Sequence, residues 1–269
     1  MPGRLGLLAF RGDLPALVVA ANPDVHVVTF EGVAAEVAPT SGQPARFEKM
    51  GAVIKALKAA GVDRLVMAGA LARPPLDAKR LDLTTMAFAP KLMAALKQGD
   101  DGLLRAVIGF FEGHGLRVVG VHDVVPDLTA APGLLAGRAP DKAALADADR
   151  AAAILAALAP LDLGQGAVVA GGLCLGIETL QGTDAMLAGV TATEPAKRPK
   201  APGVLVKLPK AGQDLRVDMP AIGPGTVEAA ARAGLAGIVI AAGQVLLIDR
   251  PGIVAAAEAA GLFVLARAV

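Results

Sequence analysis

The densest run of side chains able to do chemistry is Lys207 followed by Asp214, Arg216 and Asp218. If residues 214–219 are extended, successive side chains alternate faces. Leu215, Val217 and Met219 then point into a core, and Asp214, Arg216 and Asp218 share the other face at intervals of about 7 Å. Two carboxylates flanking a guanidinium can hold a hard metal ion and a phosphate together. Magnesium takes one or two carboxylates plus phosphate oxygens, and arginine grips phosphate in a planar fork. Lys207, the lone charge in the apolar run 204–208, would add a point charge. A solvated strand face with ordinary ion pairs shows the same alternation, so the spacing leaves both readings open.

Further candidates lie at the ends of apolar runs. Glu178 follows the run 173–177, and Gly182-Thr183-Asp184 comes four residues on. Thr183 or Asp184 would serve as a helix N-cap. The Gly182 and Thr183 amides could instead face a phosphate, with Glu178 or Asp184 beside a cation. In Gly99-Asp100-Asp101-Gly102 one Asp caps the next helix and the other is available as a ligand. His122-Asp123 ends a strand, where open α/β sheets gather ligands; a satisfied, partly buried His fits equally. Gly223-Pro224-Gly225-Thr226 opens a helix and reads as turn geometry. Cys174, inside an apolar run, reads as inert core. His26 and His114 read as structural.

The elements that must position these groups alternate in type. Residues 5–10, 26–30, 64–68 and 116–121 read as buried strands, with helical periodicity over 47–60, 86–97 and 102–113. Strand–helix alternation argues for a parallel sheet covered by helices. Residues 167–170 and 173–177, joined by Gly171-Gly172, read as a β-hairpin. Strands at 204–208, 237–241, 245–248 and 262–265 and helices at 225–233 and 251–260 complete the chain. The expected fold is α/β: an N-terminal Rossmann-like parallel-sheet domain (1–130), a linker and helix (131–163), and a C-terminal α/β domain with a mixed sheet (164–269) that carries the acidic motif.

Composition closes off several classes. The 269 residues are 54% hydrophobic, which excludes global disorder, and 26 Lys+Arg balance 25 Asp+Glu, a net charge of +1 without the basic footprint of a nucleic-acid binder. One cysteine rules out an intrachain disulfide framework and a Cys-based zinc site. Apolar runs of about a dozen residues fall short of the ~20 needed to span a bilayer. With no Trp, no Tyr and seven Phe, the core is expected to be aliphatic and Ala-rich, and aromatic platforms for stacking bases are scarce. The turn Ala9-Phe10-Arg11-Gly12-Asp13-Leu14-Pro15 lacks Gly-x-Gly-x-x-Gly, which argues against a dehydrogenase.

Taken together, Gly99-Asp100-Asp101, Gly120-Val121-His122-Asp123, Glu178 with Gly182-Thr183-Asp184-Ala185-Met186, and Lys207 with the run from Gly212 through Gln213, Asp214, Arg216 and Asp218 to Gly223 resemble the LpxI-type UDP-2,3-diacylglucosamine pyrophosphatases. The resemblance spans nearly the whole chain. The family usually carries an N-terminal Ala-Gly-x-Gly-x-Leu-Pro turn, and here Ala9-Phe10-Arg11-Gly12-Asp13-Leu14-Pro15 stands in its place.

The resemblance implies a cytoplasmic enzyme, peripheral to the inner membrane and homodimeric. It would hydrolyse an acylated UDP-sugar with Mg²⁺ to UMP and 2,3-diacylglucosamine 1-phosphate (lipid X) in lipid A biosynthesis. On that basis Asp218, Asp214 and Arg216 are the catalytic candidates. Lys207, Gln213, Thr183, Gly182, Asp123 and Asp101 are candidates for substrate contacts, and Asp218, Asp214, Glu178 and Asp184 for metal ligands. A non-catalytic lipid- or nucleotide-binding module is the alternative. The basic loop 197–200 could touch anionic lipid or simply be solvated.

Overall fold

The computed structural model describes residues 3–72, 76–97 and 100–268, with the side chains of Asp100 and Asp101 outside the described residues. The chain divides into two units, Met1–Pro126 with Asp214–Asp218, and Asp127–Gln213 with Met219–Val269.

The first unit is built from β1 (Arg4–Ala9), α1 (Leu14–Ala21), β2 (His26–Val28), α2 (Met50–Ala59), β3 (Val62–Ala68), α3 (Leu83–Leu96), α4 (Asp100–Gly113), β4 (Arg117–Val119) and the single turn α5 (Val121–Val124). Its strands pair in the order β2-β1-β3-β4, every pair parallel. Parallel neighbours need crossover connections, and the covering helices explain why these strands are continuous apolar runs rather than alternating ones. Strand order reverses between β1 and β3, so the carboxyl ends of those two strands flank the crevice where such sheets take ligands.

The expectation of an aliphatic core fails in this unit. Every phenylalanine but Phe263 lies here, with Phe30 stacked on Phe47 at 4.2 Å and on Phe10 at 5.8 Å. Phe10 is buried in this core. Val217 packs against the same cluster, which is why 214–218 belongs to this unit and not to the C-terminal one.

The second unit contains β5 (Gly133–Ala136), α6 (Lys142–Leu158), β6 (Gly166–Ala170), β7 (Leu173–Ile177), α7 (Gly182–Thr191), β8 (Val204–Lys207), β9 (Ala221–Ile222), α8 (Pro224–Arg232), β10 (Gly237–Ala241), β11 (Leu246–Leu247), α9 (Arg250–Ala260) and β12 (Phe263–Arg267). Six strands run in the order β5-β12-β10-β8-β6-β7. The β8, β10 and β12 strands are parallel, and β5, β6 and β7 pair antiparallel with their neighbours, making the sheet mixed. Here the core is aliphatic and Ala-rich. The stretch 131–163, read as linker and helix, supplies β5 to this sheet and buries Ala148, Ala151 and Leu155 of α6. A four-residue strand among Pro, Gly and Asp is too short for periodicity to reveal.

The β6–β7 hairpin forms as its sequence demands. Gly171 and Gly172 both take positive φ, at 54° and 77°, the geometry a two-residue turn between right-twisted strands requires. Asp147 of α6 fixes the turn, its buried carboxylate accepting the N–H of Gly171 at 2.9 Å and of Gly172 at 2.7 Å. Cys174 is exposed on β7, an edge strand, instead of buried as its apolar surroundings suggested. Asp147→Ala should lower the unfolding free energy by about 1.5–3 kcal/mol, because hydrogen bonds to a charged acceptor are lost. Urea denaturation measures this, and an unchanged midpoint would show that the turn holds without the carboxylate.

Candidate active site

Residues 214–218 form a turn, not the extended strand expected. The Asp214 carbonyl accepts the N–H of Val217 at 3.2 Å and of Asp218 at 3.1 Å. Its carboxylate accepts the Arg216 N–H at 3.2 Å, Nε at 2.9 Å and Nη2 at 2.7 Å. A short acidic side chain bonding the amide two residues on is the local device that favours turns over strands. Arg216 Nη1 also donates to Glu112 Oε1 of α4 at 2.8 Å. The guanidinium is therefore gripped by two carboxylates, and Asp214 and Asp218 are not repeats on one strand face.

The electrostatics follow from this clamp. The Arg216 hydrogen bonds hold the Asp214 carboxyl below its ordinary range against the opposing pull of burial, with Arg105 adding attraction. The same bonds raise Arg216. A catalytic base works best with a pKa near the operating pH, so Asp214 is suited to orienting Arg216 and not to accepting a proton. Gln213 is buried, and its side-chain oxygen accepts the N–H of Lys210 at 2.9 Å, which closes the preceding loop.

In the second unit Lys207 is no bare point charge. Its buried Nζ donates to Glu178 Oε1 at 2.9 Å, Glu178 Oε2 at 2.8 Å and Thr183 Oγ1 at 2.5 Å. An ammonium has three protons, so these partners account for all of them. Thr183 Oγ1 in turn donates to Glu178 Oε1 at 2.9 Å. Gly166, opposite Lys207 in the ladder, leaves the space, since a Cβ there would lie 2.6 Å from Glu178 Oε2. Lys207 reaches a phosphate only by giving up one of its present partners.

The remaining candidates separate. The Gly182 N–H donates to the Thr179 carbonyl at 2.9 Å and so is not directed at an anion. Neither Thr183 nor Asp184 caps α7; Gln181 holds the cap position without a side-chain bond, and Asp184 is exposed in the first turn. Asp123 Oδ2 accepts the Gly120 N–H at 2.9 Å, closing the turn after β4, and His122 Nε2 stands 3.7 Å from its other oxygen. The Asp101 side chain lies outside the described residues.

Among the described residues no three His, Cys, Asp or Glu side chains converge on a metal position. Of the four expected ligands, Asp214 carries Arg216, Glu178 carries Lys207 and Asp184 is exposed. The donor set, with Asp218 half-buried in its turn, would leave most of a magnesium shell to phosphate oxygens and water. It does not fit an all-protein cage.

Sequence reasoning missed a cavity of about 470 Å³ in the first unit, lined by residues following β1, β2 and β3. Arg11, Arg46 and Arg80 face it together with Glu31, Glu48 and Phe47. Arg46 is paired with Glu31 at 2.8 Å and Arg80 with Asp77 at 3.5 Å. Arg11 has no ion pair among the described residues; its backbone is fixed by a bridge to Ala70, with N–H···O distances of 3.2 and 2.8 Å. The arginines are far apart in sequence, so no motif announced them. The signal available was topological: each follows a parallel strand at its carboxyl end or precedes the next helix. A cavity of about 420 Å³ in the second unit, bordered by Thr129–Pro132 and Ala242–Gln244, has no charged lining residue.

Two predictions come from these clusters. Lys207→Met leaves Glu178 buried without its cation and should cost about 3–5 kcal/mol of stability, with part recovered in Lys207→Met/Glu178→Gln. Equal losses in the single and double variants, read by urea unfolding, would remove the pair as the cause. Asp214→Ala should cost about 1–2 kcal/mol at pH 7. Because the folded-state pKa of Asp214 is lowered, its contribution is complete above its ordinary value and disappears as pH falls through the folded one. The difference from the parent should therefore shrink below about pH 4, and a constant difference down to pH 2 would contradict the assignment.

Comparison with known proteins gives the family. The family model described as the LpxI N-terminal domain matches residues 4–128, and that of the LpxI C-terminal domain matches residues 131–265. The chain is 40% identical over 270 residues to the UDP-2,3-diacylglucosamine pyrophosphatase LpxI of Caulobacter vibrioides, covering 97% of this chain and 96% of that protein. With both domain models matched in order and likeness extending from end to end, the chain belongs to the LpxI family.

Proposed function

We propose that this protein hydrolyses the pyrophosphate of UDP-2,3-diacylglucosamine, with Mg²⁺, to UMP and 2,3-diacylglucosamine 1-phosphate in lipid A biosynthesis. The observation that carries this reading is the 40% identity, over 97% of the chain, to a relative named as a UDP-2,3-diacylglucosamine pyrophosphatase. The geometry supports it. A nucleoside diphosphate needs cations for its phosphates, and the switch-point cavity of the first unit offers Arg11, with Arg46 and Arg80 beside it. We assign that cavity to the nucleotide half of the substrate.

The reaction adds water across one P–O bond of the pyrophosphate. The water oxygen bonds to phosphorus, the bridging oxygen leaves with the electron pair as part of a phosphate, and the water's protons pass to a base and to solvent. Asp218 is the carboxylate assigned to orient the water and take its proton. Arg216, held in one orientation by Asp214 and Glu112, stabilises charge developing on the phosphoryl oxygens. Magnesium bound through Asp218 and the phosphates would neutralise charge and acidify water.

A substrate with two acyl chains places the enzyme at a lipid surface, and we assign it to the cytoplasmic face of the inner membrane as a peripheral protein. No helix among the described residues is long and apolar enough to cross a membrane. A homodimer is supported by β7, an edge strand without a charged residue, since two such edges can pair about a two-fold axis.

The test is to incubate purified protein with the UDP-lipid, with Mg²⁺ and with excess EDTA, and to measure UMP and lipid X. Metal-dependent release of both is expected. Asp218→Asn should lower kcat by about 10²–10⁴-fold without loss of the folded state, and Arg11→Ala should act mainly on KM. A folded parent that releases nothing would overturn the proposal, leaving a binding module.

A further inference from the structure

The outer face of α3 has no partner among the described residues. Leu83, Met86 and Met93 are 80, 53 and 59% exposed. With Pro90 between them they follow the i, i+3, i+7, i+10 spacing that puts side chains on one face of a helix. The other side of α3 is engaged: Thr85 and Ala95 are buried, and the Phe88 ring packs, tilted, at 4.4 Å from that of Phe110 of α4. An exposed apolar strip of this length marks a binding face.

Charge selects the occupant. Lys91 is the one charged residue within α3, and Lys79 and Lys97 flank its ends, all exposed. Among the described residues the nearby carboxylates are engaged elsewhere. Asp82 caps the helix, accepting the Thr85 N–H at 2.8 Å, the Thr85 hydroxyl at 2.7 Å and the Gly51 N–H of α2 at 2.9 Å. Asp77 pairs with Arg80. An apolar stripe bordered by cations matches an anionic bilayer, whose headgroups take the charges while its acyl boundary takes the stripe. A second α3 would bring the same cations and, among the described residues, no uncommitted carboxylate to meet them. The basic loop 197–200 is less suited, since Lys197 is paired with Glu194 at 3.0 Å and Arg198 donates to the Ala233 carbonyl.

We propose that α3 is the surface by which this protein docks on an anionic lipid bilayer. The inference rests on the reading that the substrate is a membrane lipid, and it is tested without that substrate. The full-length protein is floated with phosphatidylcholine–phosphatidylglycerol vesicles and with pure phosphatidylcholine vesicles. Binding to the anionic vesicles is expected, weakened by added salt and reduced roughly tenfold or more by Met86→Glu/Met93→Glu. Hydrolysis of detergent-dispersed substrate should stay at the parental level.

A double variant that floats like the parent, or a parent that ignores anionic vesicles, overturns the proposal. So does conversion of a dimer to a monomer by the same substitutions, which would make the face a subunit interface. If the double variant misfolds, Lys91→Glu/Lys97→Glu decides, because these exposed side chains should weaken flotation without disturbing packing. Absence of hydrolysis with flotation intact would sink the enzymatic reading alone, and hydrolysis without flotation would sink the docking surface alone.

Discussion

The clamp on Arg216 is the interaction on which the candidate site depends. A guanidinium offers five donors in a fixed plane, and here three of them, on Nε, Nη1 and Nη2, meet carboxylates of Asp214 and Glu112. Asp214 lies two residues before Arg216, and Glu112 lies on α4, so one side chain ties a five-residue excursion of the chain to a helix formed a hundred residues earlier. Val217 adds an apolar anchor in the phenylalanine-rich core. Together they fix a segment that would otherwise be a flexible connection, and a fixed donor is what the role proposed for Arg216 would require.

The same logic sorts the acidic residues. A carboxylate already bonded to a cation has little to offer a metal ion, because the ion would have to displace a partner that is held in place by its own neighbours. Asp214 and Glu178 are in that position, one on Arg216 and the other on Lys207 and Thr183. Their work is to orient cations.

The sequence foretold elements better than side-chain geometry. Strands such as β1, β3 and β8 were legible because burial on both faces makes them continuous apolar runs, and the β6–β7 turn because two adjacent glycines meet a stringent backbone demand. The 214–218 turn was misread because Asp214-Leu215-Arg216-Val217-Asp218 alternates as perfectly as a strand. What decides against extension is the Asp214 carboxylate reaching the Arg216 amide, a contact that periodicity does not encode. The Lys207–Glu178 pair was hidden for a related reason. Both residues had been singled out, but as separate functions, since nothing in the spacing of 178, 183 and 207 says that a hairpin and a helix start bring them together. The arginine-lined cavity was invisible because its residues come from loops after three different strands.

An amphiphilic substrate poses a double demand that one kind of surface cannot meet. Its nucleotide and phosphates call for fixed cations in a polar recess, and its acyl chains call for apolar surface that water would otherwise oppose. The first unit carries both kinds. Arg80, on the wall of the arginine-lined cavity, precedes by three residues Leu83, where the exposed apolar stripe of α3 begins. The short 3₁₀ turn Ala78–Arg80 and the Asp82 cap fix that succession, the cap by bonding to both α2 and α3. A polar recess and an apolar ridge joined by so short a tether cannot drift apart without breaking the cap. A bilayer resting on α3 would then lie beside the recess proposed for the soluble end of the lipid, and docking would give the apolar exposure of Leu83, Met86 and Met93 a physical reason.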